Sequence, residues 1–225
     1  TTNPSVPGSA SFSGGQFTLT GAGADVWGTV DRCHIAAKEI DTDFVMEALV
    51  NLSDPGVNVW SKAGIMIRAS IFSNDAQTFM GVRNPANTND GVDTVMQWRD
   101  QYGGESAWNA AADNPNPARV RLVRIGNTIS SYYYDGANWI FHETHVNPGI
   151  PETGEVAACI FVTSHEDNGS GVDTGVAGEV DTATGLFDNV TITPIAVSGA
   201  VRSFSDLEFT AGTPIQATIA LNRAA

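Results

Sequence analysis

Apolar and polar residues alternate with a period of two along most of this chain, and no stretch sustains a helical period. Within residues 44–50, Phe44, Met46, Ala48 and Val50 share one parity. Within residues 63–71, Ile65, Ile67, Ala69 and Ile71 share the parity expected to face a core, and Met66 and Arg68 take the other. Similar runs predict strands at 15–20, 32–39, 76–83, 92–99, 119–125, 128–134, 138–146, 155–163 and 186–193. Asp135-Gly136 separates two aromatic runs and supplies a positive φ, so 128–146 is expected to be a hairpin. Strands this numerous, with no intervening helices, specify a sandwich or a barrel. Residues 100–118 and 165–185, rich in glycine, asparagine and acidic residues, read as loops.

Pro194 is expected to close the main domain, residues 1–194. The tail, 195–225, holds a further alternating run at 213–222, with Ile215, Ala217, Ile219 and Leu221 on one face. Two strands are marginal alone, so this tail has to dock on its own domain, on a downstream domain or on another chain. Docking on another copy would make the chain a homo-oligomer or a filament subunit by strand exchange.

Composition narrows the partners. The 225 residues carry 25 acidic and 11 basic side chains, a formal charge of -14. Such a chain repels phosphate backbones and anionic lipid surfaces, which argues against nucleic acid and membrane insertion. No apolar run reaches the ~20 residues of a membrane span. Thr1-Thr2-Asn3-Pro4 reads like a mature or trimmed N-terminus. Cys33 and Cys159 fall in separate strand-like runs. They form a candidate disulfide joining early and late strands, and two inert buried thiols are the competing reading.

A set of short pieces, in order, covers most of residues 14–193. They are Asp25-Val-Trp27-Gly28 with Asp31 and His34, Asp43-Phe44, and Lys62-Ala-Gly-Ile-Met-Ile-Arg68. Then follow Arg121-Leu-Val-Arg124 with Gly126-Asn127, Tyr133-Tyr134-Asp135-Gly136 with Trp139, Val162-Thr-Ser-His165 and Phe187-Asp-Asn-Val190. In these pieces the chain resembles the concanavalin A-like lectin/glucanase-type domains of secreted bacterial proteins often labelled as regulation-of-enolase type. The resemblance implies an all-β, two-sheet antiparallel jelly-roll-like sandwich. It also implies a non-catalytic module of a larger surface or carbohydrate-active protein, placed outside the cell. The chain departs from that pattern at Cys33, where an aromatic residue is usual, and in a longer acidic loop after His165.

Several groups could carry chemistry. Glu39, Asp41 and Asp43 stand at spacing two, like the carboxylates of retaining β-glucanases, which flank a sugar about 5 Å apart. A turn at 40–42 is the favoured reading, which removes them from any cleft. Asp25, Asp31 and Asp188 are a candidate structural calcium site, with the 166–181 loop as a second. No organic cofactor is implied. For a glycan, the candidates are Arg68, Trp98, Arg99, Tyr102, Trp108 and Tyr134, which offer ring faces and polar groups. The expected function is therefore non-catalytic binding of a carbohydrate or surface polymer, or adhesion. A filament subunit is the alternative, and a glycoside hydrolase the third reading.

Overall fold

The computed structural model describes residues 7–56, 58–87, 94–112, 116–165, 181–195, 198–201 and 220–222. Its strands in chain order are β1 (Ser9–Ser13), β2 (Gln16–Gly21), β3 (Asp25–Trp27), β4 (Val30–Arg32), β5 (His34–Ile40), β6 (Phe44–Asp54), β7 (Lys62–Arg68) and β8 (Gln77–Arg83). There follow β9 (Thr94–Arg99), β10 (Ser106–Ala112), β11 (Ala118–Ile125), β12 (Thr128–Tyr134), β13 (Trp139–Val146), β14 (Val156–Thr163), β15 (Ala183–Pro194), β16 (Ser198–Val201) and β17 (Ala220–Asn222).

Two antiparallel sheets face each other. The large sheet has seven strands in the order β1-β2-β15-β6-β11-β12-β13, and the small sheet six, β10-β9-β8-β7-β14-β5. This is the expected two-sheet jelly-roll-like sandwich. Between the sheets lies one apolar cluster that includes Phe44, Met46, Ala48, Val50 and Leu52 of β6, Ile65 and Ile67 of β7, and Val120 and Leu122 of β11. Buried and partly buried positions alternate along β6, as period-two patterning requires of a strand with one face on the core. The turn after β12 is closed by the Asp135 side chain, whose Oδ1 accepts from Ala137 N at 2.8 Å and Asn138 N at 2.7 Å. Gly136 takes φ 100° there, so the Asp-Gly signal is the hairpin's cause.

Strands β7, β8 and β14 are buried at every position, on both faces. Their outer face is roofed by the β3–β4 hairpin. Val26 of that hairpin and Cys33 just beyond it pack on Met66, Phe79, Cys159 and Phe161 in a second apolar cluster. Hence Met66 and Arg68, assigned to the non-core face, are 0% exposed. Ile71, assigned to the core, lies past the end of β7 and is 44% exposed.

Other expectations need correction. The 100–118 stretch contains β10, paired to β9 from Ser106 to Ala112, because Ser106–Ala112 finds a free sheet edge despite its alanine-rich composition. β15 begins inside the 165–185 stretch. Residues 41–43 do not turn a hairpin: β5 and β6 belong to different sheets, so the segment is an arch between them. In the tail, Ala220–Asn222 runs parallel to Ser198–Val201 of the same chain. Ile215, Ala217 and Ile219 lie outside the described residues, and nothing is assigned to the side chain of Leu221.

Candidate functional site

The outer face of the small sheet collects its polar side chains in registered rows. One row runs Ser106, Arg99, Gln77, Arg68, Ala157 and Glu39 across the six strands. The next runs Trp108, Gln97, Phe79, Met66, Cys159 and Ala37. At the far end of β7 and β8, Lys62 pairs with Arg83 and with Thr163 of β14. Period-two geometry alone puts these residues on one face. The β3–β4 hairpin then decides which of them a ligand can reach.

Beneath that hairpin is a closed ion triad. Asp31 accepts from Arg68 Nη1 at 2.5 Å and from Arg99 Nη2 at 2.6 Å, with all three side chains fully buried. The remaining guanidinium donors are taken by backbone carbonyls: Arg68 donates to Ser70 O and Phe72 O, and Arg99 to Gly28 O and Asp75 O. Burial works against the charge of Arg68, and the adjoining Asp31 carboxylate more than restores it, so its pKa is raised. These two arginines hold the hairpin to the sheet. Both are 0% exposed, so as glycan candidates they present no surface to a ligand in this structure.

A second polar group lies at the Lys62 end. Lys62 Nζ donates to Asp25 Oδ1 at 2.5 Å, and His165 Nε2 meets Asp25 Oδ2 at 3.1 Å. Burial pushes the Asp25 pKa up, but Lys62 and then His165 outweigh it and hold the carboxyl below its usual value. His165 sits at φ 61°, a left-handed backbone that a residue with a Cβ rarely adopts. Its Nδ1 is buried with no hydrogen-bond partner among the described residues. Thr163 Oγ1 donates to Gly23 O at 2.8 Å and so ties the same end of β14 to the segment entering β3.

Beside Lys62, the Arg83 guanidinium stacks with two indoles, 5.6 Å from the Trp60 ring centroid and 5.7 Å from that of Trp108. Trp108 is 42% exposed. Across β9–β10 it faces Gln97, whose Oε1 is buried and has no hydrogen-bond partner among the described residues. Trp60, Arg83, Gln97 and Trp108 therefore cluster at one end of the sheet, with Trp108 the exposed member.

The six glycan candidates do not converge. Trp108 is at this end, and Arg68 and Arg99 are in the closed triad. Trp98 has the opposite parity and stacks on His145 with ring centroids 4.5 Å apart. Tyr102 is in a turn and 68% exposed. Tyr134 lies on the large sheet, paired with Trp139. Trp60, Lys62, Arg83 and Gln97 were missed, although Lys62 shares parity with Arg68 and Arg83 shares parity with Phe79 in β8.

The remaining candidates separate by partner and place, and the 166–181 loop, the second calcium candidate, lies outside the described residues. Asp25 and Asp31 are engaged by cations of the small sheet. Asp188 is on β15 of the large sheet, where Gln16 Nε2 donates to it at 2.9 Å, so the three aspartates build no common site. Among the described residues no group of three or more histidines, cysteines or carboxylates could hold a metal ion. Cys33 and Cys159 are free buried thiols rather than a disulfide. Burial raises both, Cys159 to about 12. Glu39 is exposed on edge strand β5, whereas Asp43 Oδ1 accepts from Gly126 N at 2.7 Å. The acid run is thus split between sheets.

No family model matches this chain, and neither does any curated protein. Solved structures do share its fold. A functionally unknown protein from Saccharomyces cerevisiae aligns over 86% of this chain and 94% of its own, with TM-score 0.60 and 16% identity. Xyloglucan PUL GH43B of Bacteroides ovatus aligns with TM-score 0.52 and 10% identity, over 80% of this chain and 33% of its own. A GH43 protein from Bacillus licheniformis aligns with TM-score 0.50 and 14% identity, over 80% of this chain and 33% of its own. At such identities the likeness is one of fold. It corrects the expectation of a chain without catalytic activity: the fold occurs in glycoside hydrolases and gives no ground for excluding catalysis.

Proposed function

We propose that this domain engages carbohydrate through the Trp60–Arg83–Trp108 end of the small sheet, as a concanavalin-like module of a secreted or cell-surface protein. The observation that carries the reading is the pair of indoles stacked with Arg83, one of them 42% exposed. An indole face matches the apolar C–H face of a sugar ring, and Arg83 braces both rings in place. The order of motifs shared with regulation-of-enolase type domains supports the same reading.

Calorimetric titration against neutral β-glucan, xylan and xyloglucan oligosaccharides tests it. Binding to at least one, weakened about tenfold or more by Trp108→Ala, is the expected result. Binding that Trp108→Ala leaves untouched would move the site elsewhere. Reducing-sugar release on the same panel distinguishes a substrate from a ligand.

A further inference from the structure

The large sheet carries a separate aromatic surface on its own outer face. Glu47 of β6, Arg121 of β11, Tyr132 of β12 and Phe141 of β13 stand opposite one another in register across four strands. The neighbouring pair is Tyr134 and Trp139. Both aromatic pairs are edge-to-face, each with ring centroids 5.5 Å apart. Phe141 is 55% exposed and the Arg119 side chain 43% exposed. A β-bulge between Ser131 and Tyr132 shifts the β12–β13 register, which keeps Phe141 and Trp139 on the same face as the tyrosines.

Two arginines organise these rings. Arg121 lies 3.9 Å from the Trp139 ring centroid, and Arg119 lies 5.0 Å from Trp139 and 5.4 Å from Tyr134. Glu47 holds both: Arg121 donates to Oε1 from Nε at 2.8 Å and from Nη2 at 2.5 Å, and Arg119 Nη2 donates to Oε2 at 3.1 Å. Two guanidiniums against one carboxylate leave the Glu47–Arg119–Arg121 triad at +1, on a chain whose formal charge is -14. A cationic triad set among exposed rings, on a strongly acidic molecule, is complementary to an anionic partner that presents flat rings.

We propose that this face is a second carbohydrate surface, independent of the first, which takes an acidic polysaccharide bearing carboxylate or sulfate groups. The rings supply stacking along the chain direction. Arg119, the half-exposed cation, reads the negative group, while Arg121 stays committed to Glu47 and Trp139. A peptide would be expected to add to a sheet edge through its backbone. This patch instead lies on a face, across four strands, and offers side chains alone.

The test uses the whole chain with polygalacturonate and heparin as anionic probes and a neutral β-glucan as the control. Affinity electrophoresis should show retardation by at least one anionic probe, fading as salt screens the contact beyond about 8 Å. Arg119→Gln and Phe141→Ala, both at exposed positions, should each weaken that retardation about tenfold while the melting temperature holds. Trp108→Ala should leave it intact, which separates this proposal from the small-sheet site. Carboxylate and sulfate readers differ in which probe binds. The proposal falls if neither probe retards the protein. It also falls if the neutral glucan does so equally, if Arg119→Gln and Phe141→Ala change nothing, or if only an acidic protein competes for the face.

Discussion

Asp31 and Arg99 are joined by a two-point ion pair: Arg99 Nη2 donates to Asp31 Oδ1 at 2.6 Å and Nη1 to Oδ2 at 3.0 Å, with both side chains fully buried. The same carboxylate accepts from Arg68, so one acid is the shared partner of two cations beneath the hairpin. Asp31→Ala would leave both guanidiniums buried without a counter-charge. The expected loss is about 3–5 kcal/mol of unfolding free energy, read as a lower urea midpoint. Arg68→Met, which removes one cation and keeps the carboxylate paired to Arg99, should cost less.

Gly64 and Gly81 lie side by side in β7 and β8, where the backbones of the small sheet come close. A Cβ on Gly64 would stand 2.5 Å from Met80 O and 2.9 Å from the Phe161 ring. Neither the strand nor the ring, packed edge-to-face on Phe79, has room to retreat. Gly64→Ala is expected to destabilise the fold by about 1–3 kcal/mol in equilibrium denaturation.

Both thiols should be inert in the native protein. Cys33 and Cys159 are fully buried in the apolar cluster under the hairpin, and burial suppresses the thiolate that would react. Thiol titration near neutral pH should find no reactive group in the folded chain and two in the denatured, unreduced chain. One or none after denaturation would restore the disulfide.

Acid should unfold this protein in two stages. His34 and His142 have lowered pKa values, both chiefly through burial, with Glu143 pulling His142 back. A histidine depressed in the folded state binds its proton more readily when unfolded, so stability falls as pH drops from about 6.5 towards the folded values. Asp25 is depressed below its ordinary 3.8. Its contribution is complete above that value and is lost as pH falls through the folded pKa. Melting temperature against pH should show a first decline below about 6.5 and a second below about 4. Asp25→Asn should abolish only the second.

Much of the strand layout was legible because alternation is a local property. Phe44, Met46, Ala48 and Val50 announce β6, and Asp135-Gly136 announces the turn between β12 and β13, since each depends on immediate neighbours alone. β10 and the β3–β4 hairpin escaped because their sequences have weak patterning. Ser106–Ala112 is alanine-rich and lacks alternation, and its pairing depends on a free edge of β9 that no local signal reports.

The sequence by itself determined an all-β chain, the parity of most side chains and a pronounced acidity. Tertiary structure alone decided which parity is reachable. Arg68 and Arg99 lie on the face anticipated for ligand binding, but Asp31 arrives from a distant hairpin and closes over them. Trp60, Arg83 and Trp108, spread over 49 positions of sequence, meet only because β10 joins the sheet beside β9 and β8. Glu39 and Asp43, four positions apart, are parted because the chain crosses between sheets there. The physical reason is common to all three. Alternation encodes the side of a strand on which a residue stands, whereas the group that covers or joins it is set by long-range pairing, which carries no local signature.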